Sequence, residues 1–408
     1  MRIQLRAARP AERAPSLDPA QYQVVHRPAR GANLLVVGSP GSGKTTVALE
    51  AYLQRAATEA DAASEPRHYL LAPSRLHAGR LRATAASRLI GVGAARRSPA
   101  VLTPAAFAFA LVRRDAVVRR LPPPTLITGA QQDRILAELL EGHALGIGAT
   151  IEWPEDLPRE VLGIPAFRDE LRNLFMRADE FGIGAGELDR LGRELGRAEW
   201  VMAAHLLEEY RDVVALGDLP GDRGERFDVA RVLSEAAQVI ESGTGPPLAS
   251  VVVDDYQEAS AALVRLLTAL SERGTHLTLI GDPDVAVQTF RGARPEFVGR
   301  ASADTGMGAF SAERVALPRV YRGNVQVRRI VGTVVGKVPS AGPGTHRTAE
   351  LAPESVAVER AQREPVVAME LASPAAESAA IAHELRRNHL HAGLAWDQMA
   401  VVVRSSRA

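Results

Sequence analysis

Apolar residues follow two rhythms along this chain. Short runs recur at Leu34–Val37, Tyr69–Ala72, Val101–Thr103, Val251–Asp254 and Leu277–Ile280, each followed by a polar or turn-forming segment. Between them lie longer stretches in which apolar residues return at helical spacing. Asp228, for example, precedes Val229, Val232, Leu233, Ala236, Val239 and Ile240, which share one helix face. A Gly/Pro turn, "SGTGPPLAS", then leads into the run at 251–254. Strands that read as unbroken apolar runs and alternate with amphipathic helices predict an α/β fold, a parallel sheet with helices on both faces. "GAQQDRILAELLEG" and "AEWVMAAHLLEEYRDVVAL" predict further helices between the third and fourth runs.

The segment after the first run carries chemistry. Gly38-Ser-Pro-Gly-Ser-Gly-Lys-Thr45 fits the phosphate-loop pattern G-x-x-x-x-G-K-[ST], with a strand before it and a helix after it. Glycines at 38, 41 and 43 let backbone N–H groups point at phosphate oxygens, with Ser42 and Thr46 in the same turn. The start of the helix adds its positive end. Lys44 reaches the β- and γ-phosphates, and the Thr45 hydroxyl sits on Mg²⁺. This predicts ATP or GTP binding without saying which kind of NTPase it serves.

The chain has 408 residues, 46% of them apolar, enough for two or three domains. No long uncharged apolar run offers a membrane span, and the N-terminal residues have no signal-peptide core. With zero cysteines there is no disulfide framework or thiolate metal site. The ten histidines show no ligand spacing. A cytoplasmic location is expected. The net charge of +1 announces no nucleic-acid partner by itself. Of 49 basic residues only Lys44 and Lys337 are lysines, a bias that suits a GC-rich genome and makes a retained lysine notable. Locally the balance shifts. From Pro66 to Arg114 there is no Asp or Glu but there are nine arginines, a stretch able to contact phosphates without reading sequence.

The run at 251–254 ends in Asp254 and Asp255, followed by Tyr256 and Gln257. Carboxylates at the carboxyl end of a parallel strand lie where ligands of open α/β sheets bind. Asp-Asp-Tyr-Gln resembles the D-E-x-Q signature of superfamily 1A, UvrD/RecB-like DNA helicases. Other blocks agree in order: "LDPAQYQVV" with the family's adenine-reading segment, "LIGDPDVAVQTFRGA" with its G-D-P-D block, and "LPRVYRG" with L-x-x-N-Y-R-S. The resemblance implies a RecA-like ATPase core. Asp254 and Thr45 would serve Mg²⁺. Lys44, Asp255 as base, and Arg322 at the γ-phosphate would be catalytic. Gln21 and Tyr321 would contact adenine, and Gln257 would link the nucleotide to neighbouring segments. Arg75, Thr103 and Phe290 would face DNA, Phe290 as a stacking surface.

Three departures stand out. Asp255 replaces the usual Glu, one methylene shorter, which predicts hydrolysis slowed rather than abolished. Val285 replaces a Gln that senses the γ-phosphate. The aromatic of the first DNA segment is missing in Ala72-Pro-Ser-Arg75, and Pro104 and Ala105 replace Phe-His beside Thr103. Nucleotide-binding positions are kept while those that link nucleotide to DNA are altered. Among helicase–nuclease subunits this pattern most resembles the AdnA subunit of actinobacterial AdnAB.

The domain organisation expected is a P-loop RecA-like domain over 1–112 and 215–309, an inserted helical subdomain over 113–214, and a partial second RecA-like domain over 310–408. The implied function is a motor portion of a helicase–nuclease subunit in double-strand break repair. It would use ATP and Mg²⁺, act on single-stranded DNA and double-strand ends, and work as a heterodimer with a second subunit, away from membranes. The alternatives are an ATP-binding but non-translocating DNA-holding subunit, a truncated fragment dependent on a partner motor, or a nucleotide kinase.

Overall fold

A computed structural model describes residues 14–58, 65–91, 98–216, 224–323, 325–339, 342, 344–352 and 366–403. The chain divides into two units, residues 1–357 and 358–408.

The first unit runs α1 (Pro19–Val25), β1 (Leu34–Val37), α2 (Lys44–Ala56), β2 (His68–Leu71), α3 (Arg75–Gly91), β3 (Val101–Leu102) and α4 (Pro104–Val118). There follow β4 (Thr125–Leu126), the helices α5 (Gly129–Ala144), α6 (Pro165–Glu180), α7 (Ala185–Glu194) and α8 (Ala198–Leu216), and β5 (Arg226–Phe227). Then come α9 (Val229–Glu241), β6 (Ser250–Val253), α10 (Ala261–Glu272), β7 (His276–Gly281), α11 (Glu296–Arg300) and β8 (Glu313–Ala316). The unit's described residues close with β9 (Arg319–Val320), α12 (Val325–Val335) and β10 (Glu350–Leu351).

Six strands form one sheet in the order β3-β2-β6-β7-β1-β8, every neighbouring pair parallel. All strand ends that carry chemistry therefore share one edge. Helices cover both faces, which is why β1, β6 and β7 are buried throughout. The strand period of two sorts their side chains. Val251 and Val253 face the core built with α4, α9 and α10, while Val252 faces the core built with α2 and α3. The strands read from sequence agree to within one residue at each end. The sixth, β8, was not legible because it lies at the sheet edge with Glu313 and Arg314 exposed.

Helices α5 to α8 gather around their own core, which includes Ile135, Leu140, Phe175, Met202, Leu207 and Tyr210. α5 and α8 coincide with the two helical segments read between the third and fourth runs. α4 runs unbroken through residue 113 and buries Phe107, Ala108, Leu111 and Val112 against the sheet's core. In the second unit, Ser373 caps α13 (Pro374–Ala392), accepting from the Ala376 N–H at 3.2 Å, and Gly393 at φ 67° ends it. No helix of the described residues is long and apolar enough to cross a membrane.

Candidate nucleotide site and adjoining cleft

The turn from β1 into α2 is the phosphate loop. Gly41 and Gly43 both sit at φ 84°, a left-handed conformation that favours glycine. Space is tight as well: a Cβ on Gly43 would lie 2.6 Å from Gln21 Nε2, and one on Gly41 would lie 3.0 Å from Arg322 Cβ. Lys44 begins α2, and its Nζ donates to the Gly38 carbonyl at 2.7 Å and the Ser39 carbonyl at 3.2 Å. Asp282 Oδ2 lies 3.7 Å from the same nitrogen. Burial lowers the Lys44 pKa, against the pull of Asp282, Asp255 and Asp254.

Asp254 follows β6 and is 2% exposed, with neither carboxylate oxygen hydrogen-bonded. Burial, reinforced by the Asp255 charge, raises its pKa to about 7, and the Thr45 side chain and the Asp255 backbone pull the other way. A buried carboxylate with two unpartnered oxygens next to the phosphate-loop threonine fits a divalent cation. His77, on α3, places Nε2 3.5 Å from Asp254 Oδ2.

Asp255 adopts φ 52°, ψ 48°, a strained conformation for a residue other than glycine and one that Asp tolerates better than most. Gln257 holds it there. The Gln257 Nε2 donates to Asp255 Oδ1 at 3.1 Å, and its Oε1 accepts from the Asp282 N–H at 3.0 Å. A single buried amide thus ties the end of β6 to the end of β7. Gly281 makes the approach possible, since a Cβ there would lie 2.9 Å from Gln257 Oε1.

Past β7, Asp282 and Asp284 meet His346, whose Nε2 lies 3.2 Å from Asp282 Oδ1 and 2.7 Å from Asp284 Oδ2. Arg347 grips Asp284 with two bonds, of 2.8 and 2.6 Å. The Ser39 hydroxyl donates to the His346 carbonyl, so this segment also touches the phosphate loop. Burial alone would lower the His346 pKa, but Asp282 and Asp284 outweigh it and raise it. Val285 closes the turn, its N–H on the Asp282 carbonyl at 3.2 Å, and brings no polar side chain to it.

The adenine-side residues assemble through Asp18. Gln21 and Asp18 form a capping box, with the Gln21 N–H on Asp18 Oδ1 at 2.8 Å and the Asp18 N–H on Gln21 Oε1 at 3.1 Å. Gln21 Nε2 donates to the Ser42 carbonyl at 3.0 Å. The Tyr321 hydroxyl donates to Asp18 Oδ2 at 2.6 Å, and its N–H bonds the Gly41 carbonyl at 2.9 Å. Arg322 follows with its backbone against Gly41 and its side chain exposed. Thr46 lies half-buried in the first turn of α2.

A cleft of about 1090 Å³ opens beside Asp254 and Asp255 and extends over Arg75 and Thr103 to Arg172 and Asn173 of α6. Thr103 caps α4, accepting from the Ala106 N–H at 3.3 Å. Phe290 is 65% exposed and is not part of the cleft lining. Gln21, Ser42, Lys44, Thr45, Asp254, Asp255, Gln257, Tyr321 and Arg322 thus come together around the loop, and Arg75 and Thr103 join the cleft.

The cationic stretch is less free than its sequence implies. Arg82 Nε bonds the Val101 carbonyl at 3.0 Å, Arg88 pairs with Glu50, and Arg114 pairs with Glu65. Arg96 and Arg97 lie outside the described residues. His77 and His346 went unread in the sequence because their partners are remote in the chain. His346 lies in "VPSAGPGTHRTAELAPES", which reads as a linker; part of it forms β10, parallel to β9.

This loop, sheet and strand-end geometry defines a P-loop ATPase core. Residues 17–305, well over half of the chain, match the UvrD/REP helicase N-terminal domain family, and the chain belongs to that family. It is therefore a DNA helicase motor of the UvrD type, a class that binds DNA and uses ATP with a divalent metal. A search of curated proteins found no significant match.

Proposed function

We propose that this chain provides the ATP-hydrolysing and strand-holding part of a helicase–nuclease subunit in double-strand break repair, resembling AdnA. It would work in the cytoplasm beside a second helicase–nuclease subunit that is the stronger motor. In this reading Gln21 and Tyr321 hold the base, the Gly38–Thr45 backbone and Lys44 hold the phosphates, and Thr45 and Asp254 hold Mg²⁺. The metal supplies charge neutralisation at the β- and γ-phosphates. Asp255, fixed by Gln257, orients the attacking water, and Arg322 reaches the γ-phosphate. The strand lies in the cleft over Arg75 and Thr103, with Phe290 outside it. The residues from about 113 to 214 serve as an inserted helical subdomain, and the second RecA-like domain, expected from about 310, begins in this reading only after β8, which belongs to the first sheet.

The observation that carries this reading is the Gln257 bridge, because it joins Asp255, which borders the cleft, to the turn facing Lys44. Hydrolysis is slow in this reading, since Asp255 is short and Val285 cannot hydrogen-bond a phosphate. A second reading, an ATP-binding subunit that holds DNA without translocating, is favoured by the fixed pairing of Asp284 with His346 and Arg347 beside Val285.

The test is equilibrium binding of a fluorescent ATP analogue and of a single-stranded oligonucleotide. Lys44→Ala should lose nucleotide binding and keep oligonucleotide binding that weakens linearly in log salt. Unchanged nucleotide affinity in Lys44→Ala would overturn the assignment.

A further inference from the structure

We propose that His77 is a nitrogen ligand to the divalent cation at Asp254, so that this site takes a first-row transition-metal ion of the Mn²⁺ class in preference to Mg²⁺. The inference rests on the nucleotide-site reading above and adds a ligand to it.

Three observations carry it. Ligand atoms of His77, Asp254 and Asp255 all lie within 4.8 Å of one another. Asp254 is 2% exposed and neither of its oxygens makes a hydrogen bond, so a buried carboxylate borders the space between these groups. The His77 Nε2 to Asp254 Oδ2 separation is 3.5 Å, too long for a good hydrogen bond. It lies about 0.5 Å beyond the roughly 3 Å that separates adjacent ligands of an octahedral ion with bonds of about 2.1 Å, so a small side-chain movement brings both atoms onto one ion.

Local structure aims the imidazole. His77 sits in the first turn of α3, its N–H bonded to Ser74 Oγ at 3.2 Å, and α3 leaves the sheet edge beside β6. One Asp255 oxygen is already bonded to Gln257, so Asp255 remains available to orient water while His77, Asp254 and Thr45 serve the cation. Mg²⁺ prefers oxygen ligands and sheds water reluctantly, whereas an imidazole among carboxylates shifts preference towards softer divalent ions.

The test is pulsed electron paramagnetic resonance on the whole chain with Mn²⁺, alone and with a non-hydrolysable ATP analogue. The wild-type protein should show ¹⁴N coupling from an imidazole and, with the analogue, ³¹P coupling. Growth on ¹⁵N-histidine should replace the ¹⁴N signal, a readout that needs no variant. In His77→Gln the nitrogen coupling should vanish and the phosphorus coupling remain. The ratio of Mn²⁺ to Mg²⁺ affinity should fall by about tenfold or more, the scale on which even indirect metal partners matter. Mn²⁺ bound with phosphorus coupling but no histidine nitrogen would overturn the role of His77 and leave the nucleotide site standing. Nitrogen coupling without phosphorus coupling would support His77 and overturn the nucleotide reading. Absence of bound Mn²⁺ in the wild-type protein would overturn the proposal.

Discussion

Gln257→Glu is the sharpest probe of the bridge between the strand ends. The substitution is isosteric and keeps the acceptor for the Asp282 N–H, which lies 3.0 Å from Gln257 Oε1. It turns the 3.1 Å donation to Asp255 into a contact between two carboxylates. At that distance and an effective dielectric of roughly 20, the repulsion is about 5 kcal/mol. Taking up a proton costs less: for a carboxyl with a pKa of about 4.3, roughly 4 kcal/mol at pH 7.5 and about 2 kcal/mol at pH 6. The variant should therefore lose stability relative to wild type by up to about 4 kcal/mol at pH 7.5, easing by about 1.4 kcal/mol for each pH unit lowered. Gln257→Met instead strands the Asp282 N–H and should cost about 1–3 kcal/mol at every pH. Urea denaturation of the three proteins at pH 6, 7 and 7.5 reads both effects. Parallel pH profiles for Gln257→Glu and wild type would refute the contact between Gln257 and Asp255.

Other expectations follow from the same site. Asp254 has a pKa raised to about 7 by burial and by Asp255, so the folded state holds its proton more tightly than the unfolded chain. Stability should fall as pH rises from the ordinary carboxyl range to about 7, and Asp254→Asn should flatten that decline. The rise in melting temperature produced by Mg²⁺ should be larger at pH 8 than at pH 6, where a proton competes for the carboxylate; equal shifts would count against Asp254 as a ligand. His346 has a raised pKa, so its pairing with Asp282 and Asp284 should stabilise the fold below about pH 6.5 and fade as pH climbs through its folded value. His346→Gln should remove that alkaline loss in thermal melts, and an unchanged profile would discount the cluster. Val285→Gln should raise DNA-stimulated ATP turnover by roughly 2- to 10-fold, the worth of one hydrogen bond; no gain would place the defect at Asp255.

Much of the sheet was legible because buried parallel strands read as apolar runs and the turns after them carry the chemistry. Leu34–Val37 with Gly38–Thr45 is the clearest case, since local sequence alone specifies strand, loop and helix. Ser250–Val253 with Asp254 is the second. Long-range partners were not legible. The resemblance marks Gln257 as a link to neighbouring segments, but its partner, the Asp282 N–H, is brought to it only by β7, and His77 approaches Asp254 only because β2 and β6 are neighbours. Charge was misleading in part: Arg82 and Arg88 read as part of a phosphate-contacting stretch but bond the Val101 carbonyl and Glu50. His346 sits in a Gly/Pro-rich stretch whose local pattern argues for a loop, and only tertiary contacts with Asp282 and Asp284 fix it.

ATP hydrolysis measured with and without single-stranded DNA, for wild type, Lys44→Ala and Asp254→Asn, tests the central claim most directly. The account predicts turnover by the wild-type protein that rises when single-stranded DNA is added and is lost in both variants. Turnover that ignores DNA, or that survives Lys44→Ala, would contradict it.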